Sequence, residues 1–148
     1  MQVETFGFKN VYGVDLGTSV MQYQQHSSMY QRSQCFNNAF ICLGHNIINY
    51  AQNKAVIGYV LSTDGKRKVA VRHCWNIIDK IVVDVTMCAN DENPMAVLHY
   101  SYLPVIEYTP NEFLDEVEKN NGFPALPKTS KEYYYIRELK KKGFEVLE

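Results

Sequence analysis

The sequence predicts an α+β domain in which an amphipathic helix precedes a run of short antiparallel strands and two further helices follow. Three observations carry this. From Gln34 to about Gln52, Phe36, Phe40, Leu43, Ile47 and Ala51 recur at spacings of three and four, the apolar stripe of a helix. From Ala55 to Thr86, β-branched and aromatic residues form short runs separated by turn residues. Beyond Tyr108, helix-capping residues and glycine stops return. With 148 residues, 46% hydrophobic and 13% aromatic, the chain can bury one core but not two, so residues 1–148 are read as a single domain.

The segment Met1 to Tyr30 mixes Gly7, Gly13 and Gly17 with polar stretches and shows no sustained period, which predicts loops and short extended pieces. The stripe starting at Gln34 puts Cys35 at or near a helix N-terminus. Ala55 to Leu61 reads as a strand, and Thr63-Asp64-Gly65-Lys66 as the turn into a second strand through Val69, Val71, His73, Trp75 and Ile77. A tight turn at Asp79-Lys80 then leads into a third strand, Ile81 to Thr86, completing a meander. Leu98 to Tyr108 is a further strand. After it, Thr109-Pro110-Asn111-Glu112 carries a capping threonine, a proline at the first helical position and a glutamate able to close a capping box. That helix runs to about Lys119 and stops near Gly122; Ser130 followed by Glu132 opens a last helix that Gly143 ends.

A cysteine nucleophile acts as thiolate, and an ordinary thiol is mostly protonated at neutral pH. A helix N-terminus and a neighbouring imidazolium both favour the anion. Cys35 has the first by position, and His73 is the candidate for the second. If Asp79 and Lys80 are the two loop residues of the hairpin, Ile78 pairs with Ile81, Trp75 faces Asp84 and His73 faces Thr86. His73 and Asp84 then share a face as diagonal neighbours about 7–8 Å apart at the backbone, within side-chain reach. A loop one residue longer would put them on opposite faces. A carboxylate at Asp84 could accept the imidazole N–H and hold the useful tautomer.

The segments Gln34-Cys35-Phe36-Asn37-Asn38-Ala39, Gly58-Tyr59-Val60, His73-Cys74-Trp75-Asn76 and Val83-Asp84-Val85-Thr86 together resemble the papain-like and transglutaminase-like cysteine superfamily. Its transglutaminase-like branch has a Cys opening a helix, a His-x-Trp on one strand and an Asp-x-Thr on the next. The resemblance spans roughly Ser33 to Thr86. It implies acyl-transfer chemistry at an amide or thioester, with Cys35 attacking a carbonyl, His73 shuttling the proton and Asp84 orienting His73. It also implies an oxyanion hole, for which the backbone N–H of Cys35 and, more weakly, the side chain of Gln34 are candidates, while Trp75 shields the His73–Asp84 bond from water. The chain departs from the transglutaminase pattern at Phe36, where Trp is frequent, and at Asn76, where an acidic residue is common. Those departures favour hydrolysis over cross-linking. The Arg-Gly-Gly run that precedes the cysteine of arylamine acetyltransferases is absent.

Fifteen Lys+Arg against sixteen Asp+Glu leave a formal charge of −1, with no field to draw nucleic acid or an anionic membrane. Lys140-Lys141-Lys142 reads as a solvated helix end. No apolar run approaches the ~18 residues of a membrane span, and no secretory signal is evident, so a cytoplasmic location is expected. Cys42, Cys74 and Cys88 are read as packing residues, with Cys74 on the strand face opposite His73; the four cysteines lack zinc-ligand doublets, which favours a reducing compartment. His26, His45 and His99 have no ligand partners at useful spacing, and the Tyr133-Tyr134-Tyr135 run is expected to dock the last helix on the core.

The expected activity is therefore that of a cysteine-type hydrolase or acyltransferase acting on a protein, peptide or amide-bearing small molecule, without cofactor or metal. Two competitors are kept. Cys35, His73 and Asp84 are acceptable zinc ligands. Alternatively, the chain is an inactive module of the same fold that binds or inhibits a protein partner.

Overall fold

In a computed structural model, residues 3–45, 52–90 and 98–147 are described, and they form an α+β domain. The elements in chain order are α1 (Leu16–Gln25), a 3-10 turn (Ser27–Met29), α2 (Cys35–His45), β1 (Asn53–Thr63), β2 (Lys68–Ile78), β3 (Ile81–Val83), α3 (Val85–Asn90), β4 (Ser101–Tyr108), α4 (Pro110–Lys119), α5 (Ser130–Lys141) and β5 (Phe144–Leu147). The strands lie in the order β3-β2-β1-β4, all antiparallel, and β5 joins β2 in parallel. No helix among the described residues is long and apolar enough to cross a membrane.

The expected hairpin register is present. Ile78 opposes Ile81, Ile77 opposes Val82 and Asn76 opposes Val83, with Asp79 and Lys80 as the two loop residues at φ 51° and 66°. Two successive left-handed residues match the right-handed twist of the flanking strands. The third strand is shorter than expected, however: it ends at Val83 and α3 begins at Val85. Val85 and Thr86 favour strand by type, but an Asp84 Oδ1 accepts the Met87 N–H at 3.2 Å, and this cap turns the chain into a helix. Thr86 is therefore not a strand partner of His73.

Three further differences have local causes. Residues 16–25 are helical rather than looped: Asp15 caps α1 by accepting the Thr18 N–H at 2.8 Å, and its buried residues are the polar Ser19 and Gln22, which carry no hydrophobic period. Thr129, not Ser130, caps α5, with Glu132 completing a capping box like that of Thr109 and Glu112 on α4. Finally, Gly143 at φ 88° stops α5, and the next four residues form β5, which was not expected. The described part of α2 ends at His45, so the expected continuation through Ile47 to Gln52 lies largely outside the described residues.

One sheet face carries α2, α4 and α5. Ala39 and Leu43 of α2 and Phe113 and Val117 of α4 pack on Ala55, Ile57 and Cys74, while Leu139 of α5 packs with Tyr59, Leu61, Ala70 and Leu103. On the other face Val14 packs with Val56, Val60, Trp75, Val82 and Tyr102. Tyr133 and Tyr134 are 54% and 50% exposed, so only Tyr135 of the three tyrosines docks. Consecutive helical residues project about 100° apart, and three of them cannot share one buried face.

Gly58 is where the second face becomes tightest. It lies opposite His73, at a bulge where Ile57 pairs with Ile106 but Gly58 with Pro104. A Cβ there would lie 2.1 Å from the Leu103 carbonyl oxygen and 2.7 Å from Trp75 Cη2. The absent side chain is thus the space in which Trp75 sits. Gly58→Ala is expected to cost about 3 kcal/mol or more, as overpacking against backbone allows little relief; chemical denaturation measures it, and wild-type stability in this variant would contradict the close approach of β4.

Candidate active site

Cys35 is the first residue of α2, and the Gln34 carbonyl ahead of it accepts the Asn38 N–H at 2.8 Å, as an N-cap residue does. The thiol therefore stands where the unpaired backbone N–H groups of the helix start are concentrated. Asn38, one turn on, is fully buried and explains how the start is held. Its Nδ2 donates to the Gln31 carbonyl (2.7 Å) and to Thr86 Oγ1 (2.9 Å), and its Oδ1 accepts the Gln31 N–H (3.0 Å). One side chain thus ties the segment leading into Cys35 to the first turn of α3.

His73 comes from β2, whose outer edge is divided between two partners. β3 pairs with Asn76 to Ile78 and β5 with Lys68 to Val71, which leaves Arg72 to Trp75 without a strand on that edge among the described residues. Cys35 fills this gap. The His73 side chain and the Cys74 backbone N–H lie close enough to the thiol for both to favour its thiolate. As expected from strand alternation, Cys74 packs on the α2 face, whereas the His73 ring stacks with Trp75 on the other, centroids 6.1 Å apart. The Cys35 thiol and the His73 ring thus approach from opposite faces toward the open edge.

Asp84 follows β3 directly and closes the chain of contacts. His73 Nε2 lies 2.7 Å from Asp84 Oδ2, with the two side chains 10% and 1% exposed. With Nε2 engaged by the carboxylate, Nδ1 is the ring nitrogen left for the thiol. Oδ2 also accepts the Tyr102 hydroxyl at 2.7 Å, and the Asp84 backbone N–H donates to Ser19 Oγ of α1 at 3.0 Å. Trp75 is 1% exposed and covers this group; its indole N–H has no partner among the described residues, so ring contacts hold it, including an edge-on contact to Tyr102 at 5.1 Å.

The electrostatics follow from these contacts. Burial opposes ionisation of Cys35 and is the largest influence on it, yet the His73 hydrogen bond and charge, with the Cys74 N–H, outweigh it and hold the thiol below its ordinary value. For His73, burial disfavours the cation, but the Asp84 charge and hydrogen bond together with Cys35 raise it well above an ordinary imidazole. The two shifts together favour a thiolate–imidazolium pair. Burial pushes Cys74 up strongly, and burial with the Asp84 charge pushes Cys88 to about 11, so neither is activated.

The structure brings Cys35, His73, Asp84 and Trp75 together. Gln34 is adjacent to Cys35, with its side chain exposed rather than joined to the buried network. The sequence reading missed Asn38, Tyr102 and Ser19. Asn38 left a faint signal, a polar residue one turn from Cys35 on an apolar helix; Tyr102 and Ser19 left none, because their role depends on which elements lie beside Asp84. Among the described residues no group of three or more His, Cys, Asp or Glu side chains is arranged to hold a metal ion. His73 Nε2 is taken up by Asp84 Oδ2 instead of being turned to a point shared with the other donors, as zinc coordination requires.

Close to this site, Arg72 Nε meets the buried Glu132 carboxylate at 2.6 Å, Nη2 donates to the Leu126 carbonyl at 2.9 Å, and the guanidinium lies 4.9 Å from the Phe36 ring centroid. This contact pins α5 and α2 to β2 beside His73. Arg72→Met should cost about 3–5 kcal/mol, since it strands the Glu132 charge; Arg72→Met combined with Glu132→Gln should recover part of the loss in the same denaturation measurement. The thiol shifts carry a second expectation. Alkylation of Cys35 should rise through an acid limb below the ordinary thiol range, where the thiolate forms, and then stay level until the imidazolium deprotonates in alkali; Cys88 should react only as pH approaches about 11. Rates followed by peptide mass mapping from pH 5 to 10 check this, and a Cys35 profile that parallels Cys88 would contradict it.

No family model, curated protein or solved structure gives a significant match to this chain.

Proposed function

We propose that this protein is a cysteine-dependent hydrolase or acyltransferase acting on an amide bond in a protein, peptide or amide-bearing small molecule, built on a papain-like or transglutaminase-like core. The observation that carries the reading is the Cys35 thiol at a helix start, held below its ordinary value by His73, whose Nε2 lies 2.7 Å from the buried Asp84 carboxylate. A buried carboxylate on the far nitrogen fixes the tautomer that leaves Nδ1 as base and stabilises the imidazolium formed next.

In this reading the Cys35 thiolate attacks the substrate carbonyl carbon, and the oxygen becomes an oxyanion beside the Cys35 N–H at the start of α2. The exposed Gln34 amide is the candidate second donor. His73 then gives its Nδ1 proton to the departing amine as the C–N bond breaks, leaving a thioester on Cys35. Water, or an amine in the transferase case, attacks that thioester while His73 takes its proton, and the thiolate leaves. The step needs a reduced Cys35 thiol and no cofactor, which suits a reducing compartment.

Limiting iodoacetamide near neutral pH tests the reading. Cys35 should label at least about tenfold faster than Cys42, Cys74 and Cys88, and His73→Ala should remove that preference. Amine or ammonia release from a pool of amide substrates should disappear in Cys35→Ala with unfolding temperature retained. Equal, slow labelling of all four cysteines would sink the catalytic reading and leave the interaction module in its place.

A further inference from the structure

We infer that Tyr102 is a fourth member of the site, a positioning residue that aims the Asp84 carboxylate at His73. This deepens the proposed reading and rests on it. The hydroxyl donates to Asp84 Oδ2, the same oxygen that faces His73 Nε2, both at 2.7 Å. Oδ1 is taken by the Met87 N–H at 3.2 Å. A carboxylate is free to rotate about its last bond, and one donor on each oxygen leaves that rotation weakly opposed. A second donor on Oδ2 selects a single orientation, the one in which Oδ2 addresses the imidazole.

The phenol is suited to this by its surroundings. Tyr102 has no exposed surface, its ring is held edge-on against Trp75, and its backbone is fixed on both sides, to β1 through Val60 and to the N-terminal segment through paired hydrogen bonds with Tyr12. Burial, and next the Asp84 charge, hold its hydroxyl well above the ordinary phenol range, so it stays a donor. The hydroxyl therefore reports the position of β4 to Asp84, and Asp84 passes it to His73. The Tyr102 ring also meets the His73 ring, centroids 6.5 Å apart, a contact that Tyr102→Phe keeps, so removing the hydroxyl isolates the route through the carboxylate.

The test is a double-mutant cycle on the full chain, with the iodoacetamide rate at Cys35 and the proton NMR signal of His73 Nε2–H as readouts. Tyr102→Phe keeps the ring and should slow Cys35 labelling about tenfold, the scale of one hydrogen bond to a charged group, and should move the Nε2–H resonance. In an Asp84→Asn background the same substitution should change the rate less than about twofold. 3-Fluorotyrosine placed at position 102 is a stronger donor that preserves the packing, and should move the resonance in the opposite sense from Phe. An unchanged Tyr102→Phe rate and resonance while wild-type Cys35 labels selectively would overturn the role of Tyr102 and leave the triad standing. An equal loss in both backgrounds would overturn it as well, by marking the effect as packing. Unselective labelling of wild-type Cys35 would overturn both.

Discussion

The Asp84 carboxylate is the interaction on which this structure turns. Taking a carboxylate out of water costs several kcal/mol unless donors replace the lost hydration, and this one is 1% exposed. The replacements come from three elements: His73 of β2, Tyr102 of β4 and the Met87 N–H of α3, while Ser19 of α1 holds its backbone. None of them is a neighbour in sequence except Met87. Displacing any of these elements would leave a buried charge or a buried hydroxyl unpaired, so the carboxylate couples the packing of four segments to one geometry.

The second constraint is the incomplete outer edge of β2. A sheet edge presents unpaired N–H and C=O groups, which proteins usually cover. Here β3 covers one end and β5 the other, and the helix start bearing Cys35 takes the middle. The shortness of β3 therefore keeps the middle of this edge open to Cys35. Had the strand continued to Thr86, it would have extended along the edge toward the place where the thiol meets the imidazole. The cap made by Asp84 ends the strand and at the same time delivers the carboxylate to His73, so capping and orienting are two uses of one side chain, one oxygen for each.

Much of this was legible because it rests on short-range rules. The Asp79-Lys80 loop and the alternation of β2 determine the register that puts His73 and Asp84 on one side, and the period through Phe36, Phe40 and Leu43 places Cys35 at a helix start. Thr109 and Glu112 announce α4 through chemistry contained in four residues. The less legible elements share the opposite property. α1 buries serine and glutamine, whose burial is worthwhile only because Asp84 lies beside Ser19, and β5 is four residues long, stable only against Lys68 to Val71.

Spacing along a single element, or between adjacent ones, carries the α+β class, the hairpin register that brings His73 near Asp84 and the helix start at Cys35, and all three are readable from the sequence. Only tertiary packing decides where β3 stops, that Tyr102 bonds to Asp84 and Asn38 to Thr86, and that Cys35 lies beside the imidazole at an open strand edge. The physical reason is that a buried polar side chain takes its meaning from its partners: Tyr102 lies 18 residues from Asp84 and Asn38 lies 48 from Thr86 in the chain, and only packing places each pair within hydrogen-bond distance.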